Sequence, residues 1–171
     1  LRTLVGYALR LRTTGSTPDP VSLATWFGPT PASARMVYEG KMDTWHKVAG
    51  GYGCPFLQCP AEECEDGSMI WPDQQLRAGI ELLRCTSCGT EVPGTILRLT
   101  RDSARSEPAR VMLTTTESLN RQLASPGNLR AFGVNPASLR AVLLDEVHTY
   151  EGTTGAQNAY LLRRLRHALG R

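Results

Sequence analysis

Two groups of side chains in this sequence have the types and spacing to do chemistry. The first is Asp145, Glu146 and His148, at the end of the apolar run Ala141-Val142-Leu143-Leu144. A short run this rich in branched residues reads as a buried strand, and in α/β sheets ligands gather at the carboxyl ends of strands. Two carboxylates emerging there can divide two tasks, one holding Mg2+ and the other orienting a water for attack on a phosphate. His148 is close enough in sequence to join their hydrogen-bond network. The plain alternative is a strand end capped by solvated acids. A zinc-protease reading fails, because H-E-x-x-H needs a histidine before the glutamate and position 145 is Asp.

The second group is Cys54, Cys59, Cys85 and Cys88. Cys85-Thr86-Ser87-Cys88-Gly89 has the Cys-x-x-Cys-Gly form of a metal knuckle, and Cys54 and Cys59 make a looser Cys-x4-Cys partner in which Cys64 could substitute for Cys59. Four thiolates in two short turns give tetrahedral ligands for Zn2+, with no position left for substrate, so the zinc is expected to be structural. Residues 69–71 and 80–84 would be strands of a zinc ribbon. So small a unit has almost no core of its own, and the metal would supply folding energy on the order of 10 kcal/mol. His46 and His167 read as ordinary surface residues.

The elements that must position these groups alternate in type. Residues 3–7 read as a strand and 8–12 as the start of a helix, followed by a loop at 13–20 and a strand at 21–27 that ends at Pro29-Thr30-Pro31. Residues 95–100 form a strand leaving the ribbon, 101–108 a polar loop, and 111–113 a buried strand that ends at Thr114-Thr115-Thr116. Glu117 follows Thr114 by three, a capping box for a helix through Leu119 and Leu123, which residues 125–128 stop. Asn135 and Pro136 would cap and start another short helix. Residues 155–169 read as an amphipathic helix with Ala159, Leu162, Leu165 and Leu169 toward the sheet and Arg163, Arg164 and His167 outward. Gly40-Lys41-Met42 is not a phosphate loop, since Arg35 stands where the first glycine belongs and Met42 where Ser or Thr belongs.

The DEVH stretch, with Thr149-Tyr150-Glu151-Gly152, Gly155-Ala156-Gln157 and the run YLLRRLR at 160–166, resembles the DExH motif and following helix of superfamily 2 helicases. It is most similar to a group of bacterial DEAD/H-box DNA helicases that includes the helicase of the DISARM phage-defence system. The resemblance extends to two further regions in the right order. Residues 3–10 look like the Ia region, although Ala8 stands where the family usually has Pro, and 111–123 look like the Ib region. It implies an α/β fold, a partial RecA-like parallel sheet with helices, interrupted by the inserted zinc ribbon. The parts would be residues 1–45, the ribbon at 46–94, and 95–171 with the Ib and DExH regions.

The resemblance implies that Asp145 holds Mg2+ through water, Glu146 polarises the attacking water and His148 couples nucleotide state to DNA. Arg10 would contact a phosphate, with a solvated helix face carrying two Arg as its plain alternative, and the hydroxyls and free N–H groups at Thr114, Thr115 and Thr116 would track a DNA backbone, with helix capping as theirs. It also implies Mg2+ and ATP as cofactors of the full-length parent. The expected partners are DNA, the rest of the helicase chain and a defence-complex protein. The phosphate-binding loop and the second RecA-like domain would lie outside these residues, so the fragment alone is expected not to hydrolyse ATP. The other reading is a non-catalytic zinc-ribbon module that binds nucleic acid or a protein partner.

Bulk properties agree with a globular chain. The 171 residues are 41% hydrophobic and 20% charged, with a formal net charge of +3, which permits nucleic-acid binding without requiring it. No run approaches the roughly 20 apolar residues of a membrane span, and the opening LRTLVGYALRLR has no secretion cleavage site after it. Five clustered cysteines suit metal binding in a reducing compartment better than a disulfide framework, so the cytoplasm is the expected location. The chain begins at Leu1, not Met, and is expected to be part of something longer.

Overall fold

The computed structural model describes residues 1–15, 21–134 and 137–170. The chain is mixed α/β and divides into two compact units, Leu1–Leu113 and Thr114–Arg171. No described helix is long and apolar enough to cross a membrane.

The first unit opens with α1, Arg2–Thr14, where a strand was expected at residues 3–7. The run Thr3-Leu4-Val5-Gly6-Tyr7 has β-prone residues, but the positions that bury recur with helical spacing. Val5 and Ala8 are fully buried, and Leu1 and Leu9 pack against the same core. Tertiary packing therefore overrides local propensity. Gly15 ends the helix with a left-handed φ of 61°, so residues 13 and 14 of the expected loop are helical, and its residues 16–20 lie outside the described residues.

Two sheets follow. β1, Leu23–Trp26, is buried along its whole length. It lies between β7, Leu97–Arg98, and β8, Val111–Thr114. β1 and β7 are parallel, with Leu23 opposite Leu97. A parallel pair needs a crossover, and here the crossover carries helix α2, Ala34–Tyr38, and the whole second sheet. That sheet is antiparallel, in the order β2, Lys47–Val48; β3, Gly51–Gln58; β4, Ser68–Pro72; β5, Leu82–Cys85; β6, Glu91–Pro93. Helix α3, Asp73–Arg77, sits between β4 and β5 in the chain. The strands expected around residues 69–71 and 80–84 are β4 and β5.

The two sheets share one core. Its buried cluster runs from Val5 and Leu23 through Trp45, Leu57 and Trp71 to Leu83, Val92, Leu97 and Leu99. Phe27, Phe56, Trp45 and Trp71 form a chain of edge-on ring contacts with centroids 5.5, 5.7 and 5.7 Å apart. The Trp45 indole N–H donates to the Pro29 carbonyl at 2.8 Å and that of Trp71 to the Ile80 carbonyl at 2.9 Å. The antiparallel sheet thus borrows apolar cover from α1 and the parallel pair, a correction to the expectation of a ribbon with almost no core.

Residues 101–106, expected as loop, are helix α4, Arg101–Ser106, capped by Thr100, whose hydroxyl accepts the Ser103 N–H at 3.1 Å. Glu81, just before β5, fastens this cap. Its carboxylate accepts the Leu99 N–H at 2.9 Å, the Thr100 N–H at 3.0 Å and the Thr100 hydroxyl at 2.6 Å.

In the second unit, α5, Thr116–Gln122, is capped by Thr115, whose hydroxyl accepts the Ser118 N–H at 3.1 Å, one residue beyond the Thr114 cap expected. Helix α6 spans Gly152–Ala168. Its buried residues are Asn158, Leu161 and Leu165, so the inward stripe is turned from the expected Ala159, Leu162, Leu165 and Leu169, of which only Leu165 is buried. Arg163, Arg164 and His167 are exposed as expected. Asn135 and Pro136 of the expected short helix lie outside the described residues.

Replacing Glu81 by Ala strips three donors of their acceptor at the seam between the sheets. It is expected to lower unfolding free energy by about 2–3 kcal/mol in a denaturant titration, with Glu81→Gln intermediate.

Candidate metal centre

The knuckles grow out of strand ends. β3 runs to Gln58, and Cys59 is the first residue beyond it; the loop that follows carries Cys64 and returns to β4 at Ser68. β5 ends at Cys85, and Cys88 lies in the turn before β6. Because β3, β4 and β5 are neighbours, these two strand ends meet.

The sulfurs of Cys59, Cys64, Cys85 and Cys88 all lie within 4.8 Å of one another. Cys59 Sγ is 3.5 Å from Cys88 Sγ, and Cys64 Sγ is 3.7 Å from Cys85 Sγ. A disulfide would need about 2.05 Å, whereas Zn–S bonds of about 2.3 Å in a tetrahedron place sulfurs about 3.8 Å apart. Four convergent thiols at this spacing could hold a metal ion such as zinc, and the donor set fits it. Cys59, Cys64 and Cys85 are buried and Cys88 is exposed, so one corner of the cluster faces water.

The surroundings favour thiolates on one knuckle. Hydrogen bonds from the hydroxyl and backbone of Thr90 hold the Cys88 thiol down at about 6. Burial pushes Cys85 up, but the backbone N–H groups of Cys88 and Ser87 outweigh it and the thiol lies below its ordinary value. On the other knuckle, burial and hydrogen bonds with the neighbouring cysteines push Cys64 up to about 12. Without a cation the Cys59–Cys64 knuckle keeps its protons, both thiols being pushed up by burial; a bound metal would displace them.

Gly67 makes room for the cluster. A Cβ there would come within 2.4 Å of Cys64 Sγ, 2.5 Å of Cys85 Sγ and 2.9 Å of Cys59 Cβ. Any side chain would collide with two of the four sulfurs.

The quartet differs from the expected one in a single member. Cys54 stands apart and Cys64 takes its place, while Cys59 stays. Cys54 is not in a turn: it lies within β3, packed against the core, where burial pushes its thiol up to about 12. Cys54 and Cys59 are spaced as Cys59 and Cys64 are, so spacing could not choose between them. Gly51, Gly53 and Pro55 blur the strand around Cys54 in the sequence, so no local signal separated Cys54 from Cys64.

The other candidate residues fall elsewhere. Residues 141–144 form no strand, and Leu143 is 95% exposed. A buried strand needs neighbours for its backbone groups, and the second unit is built from α5, α6 and short turns among its described residues. Asp145, Glu146 and His148 are exposed and share one turn, Val147–Thr149 being a short 3-10 helix. Asp145 Oδ1 accepts the Glu146 N–H at 2.9 Å, and Glu146 Oε2 lies 3.2 Å from His148 Nε2. Glu146 itself has a left-handed φ of 51°. Thr115 is occupied as a helix cap, Thr116 opens α5, and the Thr114 hydroxyl lies 3.4 Å from the Thr115 carbonyl. Arg10 lies on α1, not after a strand, and is ion-paired with Glu62.

Compared with known families, curated proteins and solved structures, the chain matches none.

Elemental analysis of the purified chain is expected to find one zinc per molecule. Cys64→Ser removes it, and Cys54→Ala keeps the full stoichiometry at a stability cost of about 1 kcal/mol. The opposite pattern would restore Cys54 to the ligand set.

Proposed function

We propose that this chain is a segment of the first RecA-like domain of an ATP-dependent DNA helicase or translocase, interrupted by a ribbon with a structural Zn2+. The observation that carries the motor reading is the Asp145-Glu146-Val147-His148 turn, two adjacent exposed carboxylates with a histidine 3.2 Å from the second. Its place immediately before α6, with β8, the Thr115 cap and α5 earlier in the chain, supports the same reading, because that is the order of the resemblance. In this assignment Asp145 holds Mg2+ through water, Glu146 polarises the water that attacks ATP, and His148 relays nucleotide state to the DNA. The phosphate-binding loop would come from the rest of the helicase chain.

A second reading rests on a different observation. The four-cysteine cluster and its sheet are complete within Leu1–Leu113, away in sequence from the carboxylates. That is what a zinc-ribbon module for nucleic acid or a partner protein would need, without catalysis. Four thiolates leave zinc no open position, so the metal is structural in both readings.

The two separate in the helicase chain that contains this segment. There Glu146→Gln is expected to cut phosphate release by about 10²-fold or more while equilibrium nucleotide binding persists. Turnover at the unaltered rate would remove Glu146 from the mechanism and leave the module. The segment itself is expected to bind a labelled single strand with an affinity that falls as salt rises.

A further inference from the structure

Helix α1 is held to the metal loop by a set of contacts that neither the ribbon nor the carboxylates require. Arg2 spans the loop: its Nε donates to the Cys59 carbonyl at 2.7 Å, and its Nη2 donates to the carbonyls of Cys64 at 3.1 Å and Ala61 at 3.3 Å. Two of these acceptors belong to cysteines of the cluster. One turn along, Gly6 lets the helix touch the loop, since a Cβ there would lie 2.9 Å from the Pro60 carbonyl oxygen. One further turn along, Arg10 pairs with Glu62.

The charges explain why a guanidinium belongs there. The loop carries Glu62, Glu63, Glu65 and Asp66 around Cys64, and four thiolates on a divalent metal add two further negative charges. A guanidinium spreads its donors over separate nitrogens in a fixed planar fork and so reaches carbonyls that the single nitrogen of a lysine could not span as well. Groups outside the ligand sphere that orient the ligands are part of a metal site's affinity.

We infer that Arg2 is a positioning residue of the metal centre, holding residues 59–64 in ligating geometry, and that metal occupancy and the docking of α1 are therefore one coupled equilibrium. The inference rests on the four-cysteine cluster binding metal and is independent of the helicase reading. Metal draws the loop into the shape that Arg2 grips, and the docked helix holds the loop ready for metal. Linkage makes the effect reciprocal: whatever factor α1 docking adds to metal affinity, metal adds to α1 docking. Metal loss would release a helix whose buried face includes Val5 and Ala8, so the consequence reaches well beyond the knuckle.

The test uses the whole 171-residue chain, first titrated with Co2+ to read the d–d bands of a tetrathiolate site. Absence of those bands in the unaltered chain would overturn the metal centre itself, and the inference with it. With the bands present, Arg2→Ala is expected to weaken Zn2+ retention against a chelator by about 10- to 100-fold, and Arg2→Lys to recover part of it. Arg12→Ala, altering the same helix away from the loop, is expected to have no effect. In the unaltered chain, stripping the metal is expected to speed hydrogen exchange of α1 amides while those of α6 hold steady, a readout that survives even if Arg2→Ala does not fold. Unchanged metal retention in a folded Arg2→Ala, or α1 exchange indifferent to metal, would overturn the coupling.

Discussion

Four sulfurs within 4.8 Å of one another impose a demand on the strands that carry them. Thiols at that distance gain little from each other and lose solvation. Neighbouring strand ends hold the arrangement, and a cation could take the place of the protons that remain on the thiols. β3 must stop at Gln58 and β5 at Cys85 for the two knuckles to face each other, and the pairing of Met69 with Cys85 fixes the register that brings them level. Gly67 leaves room for the sulfurs of Cys64 and Cys85. Thr90 and the amides of the second knuckle turn their hydrogen bonds toward sulfur.

The cluster also explains why the antiparallel sheet is not a separate small domain. Cys59, Cys64 and Cys85 belong to the same buried cluster as Val5 on α1 and Leu23 and Leu97 on the parallel pair. A sheet of this size alone would bury too little apolar surface to offset its ordering entropy. Here the ring chain from Phe27 to Trp71 and the Glu81 carboxylate join it to the α/β part. A bound metal would thus add to a core instead of replacing one.

The second unit is organised by different means. Its buried residues include Phe132, Val134, Leu161 and Leu165, and Arg164 on α6 donates to Asn120 on α5. The carboxylate turn stands exposed before α6, its backbone bent through the left-handed φ at Glu146. A non-glycine residue adopts that conformation at a cost of about 1–2 kcal/mol, and the Thr149 hydroxyl and N–H, both donating to the Glu146 carbonyl, help to hold it.

The sequence by itself determined what local chemistry can determine. Cys85-Thr86-Ser87-Cys88-Gly89 announced a knuckle because both cysteines lie in one turn, and residues 23–26, 69–71 and 111–113 were legible because their apolar runs are local; α6 was legible as a helix, but not the face it buries. The tertiary structure decided wherever two local answers were equally good. Cys54 and Cys64 stand at equal spacing from Cys59, and only the pairing of β3 with β4 put Cys54 inside a strand and Cys64 at the cluster. Residues 3–7 have strand-prone side chains, yet a helix buries Val5 and Ala8 together; residues 141–144 look like a strand, yet a strand exists only where neighbours accept its backbone hydrogen bonds. Arg2 carries no local signal at all, because the carbonyls it grips lie more than fifty residues away along the chain.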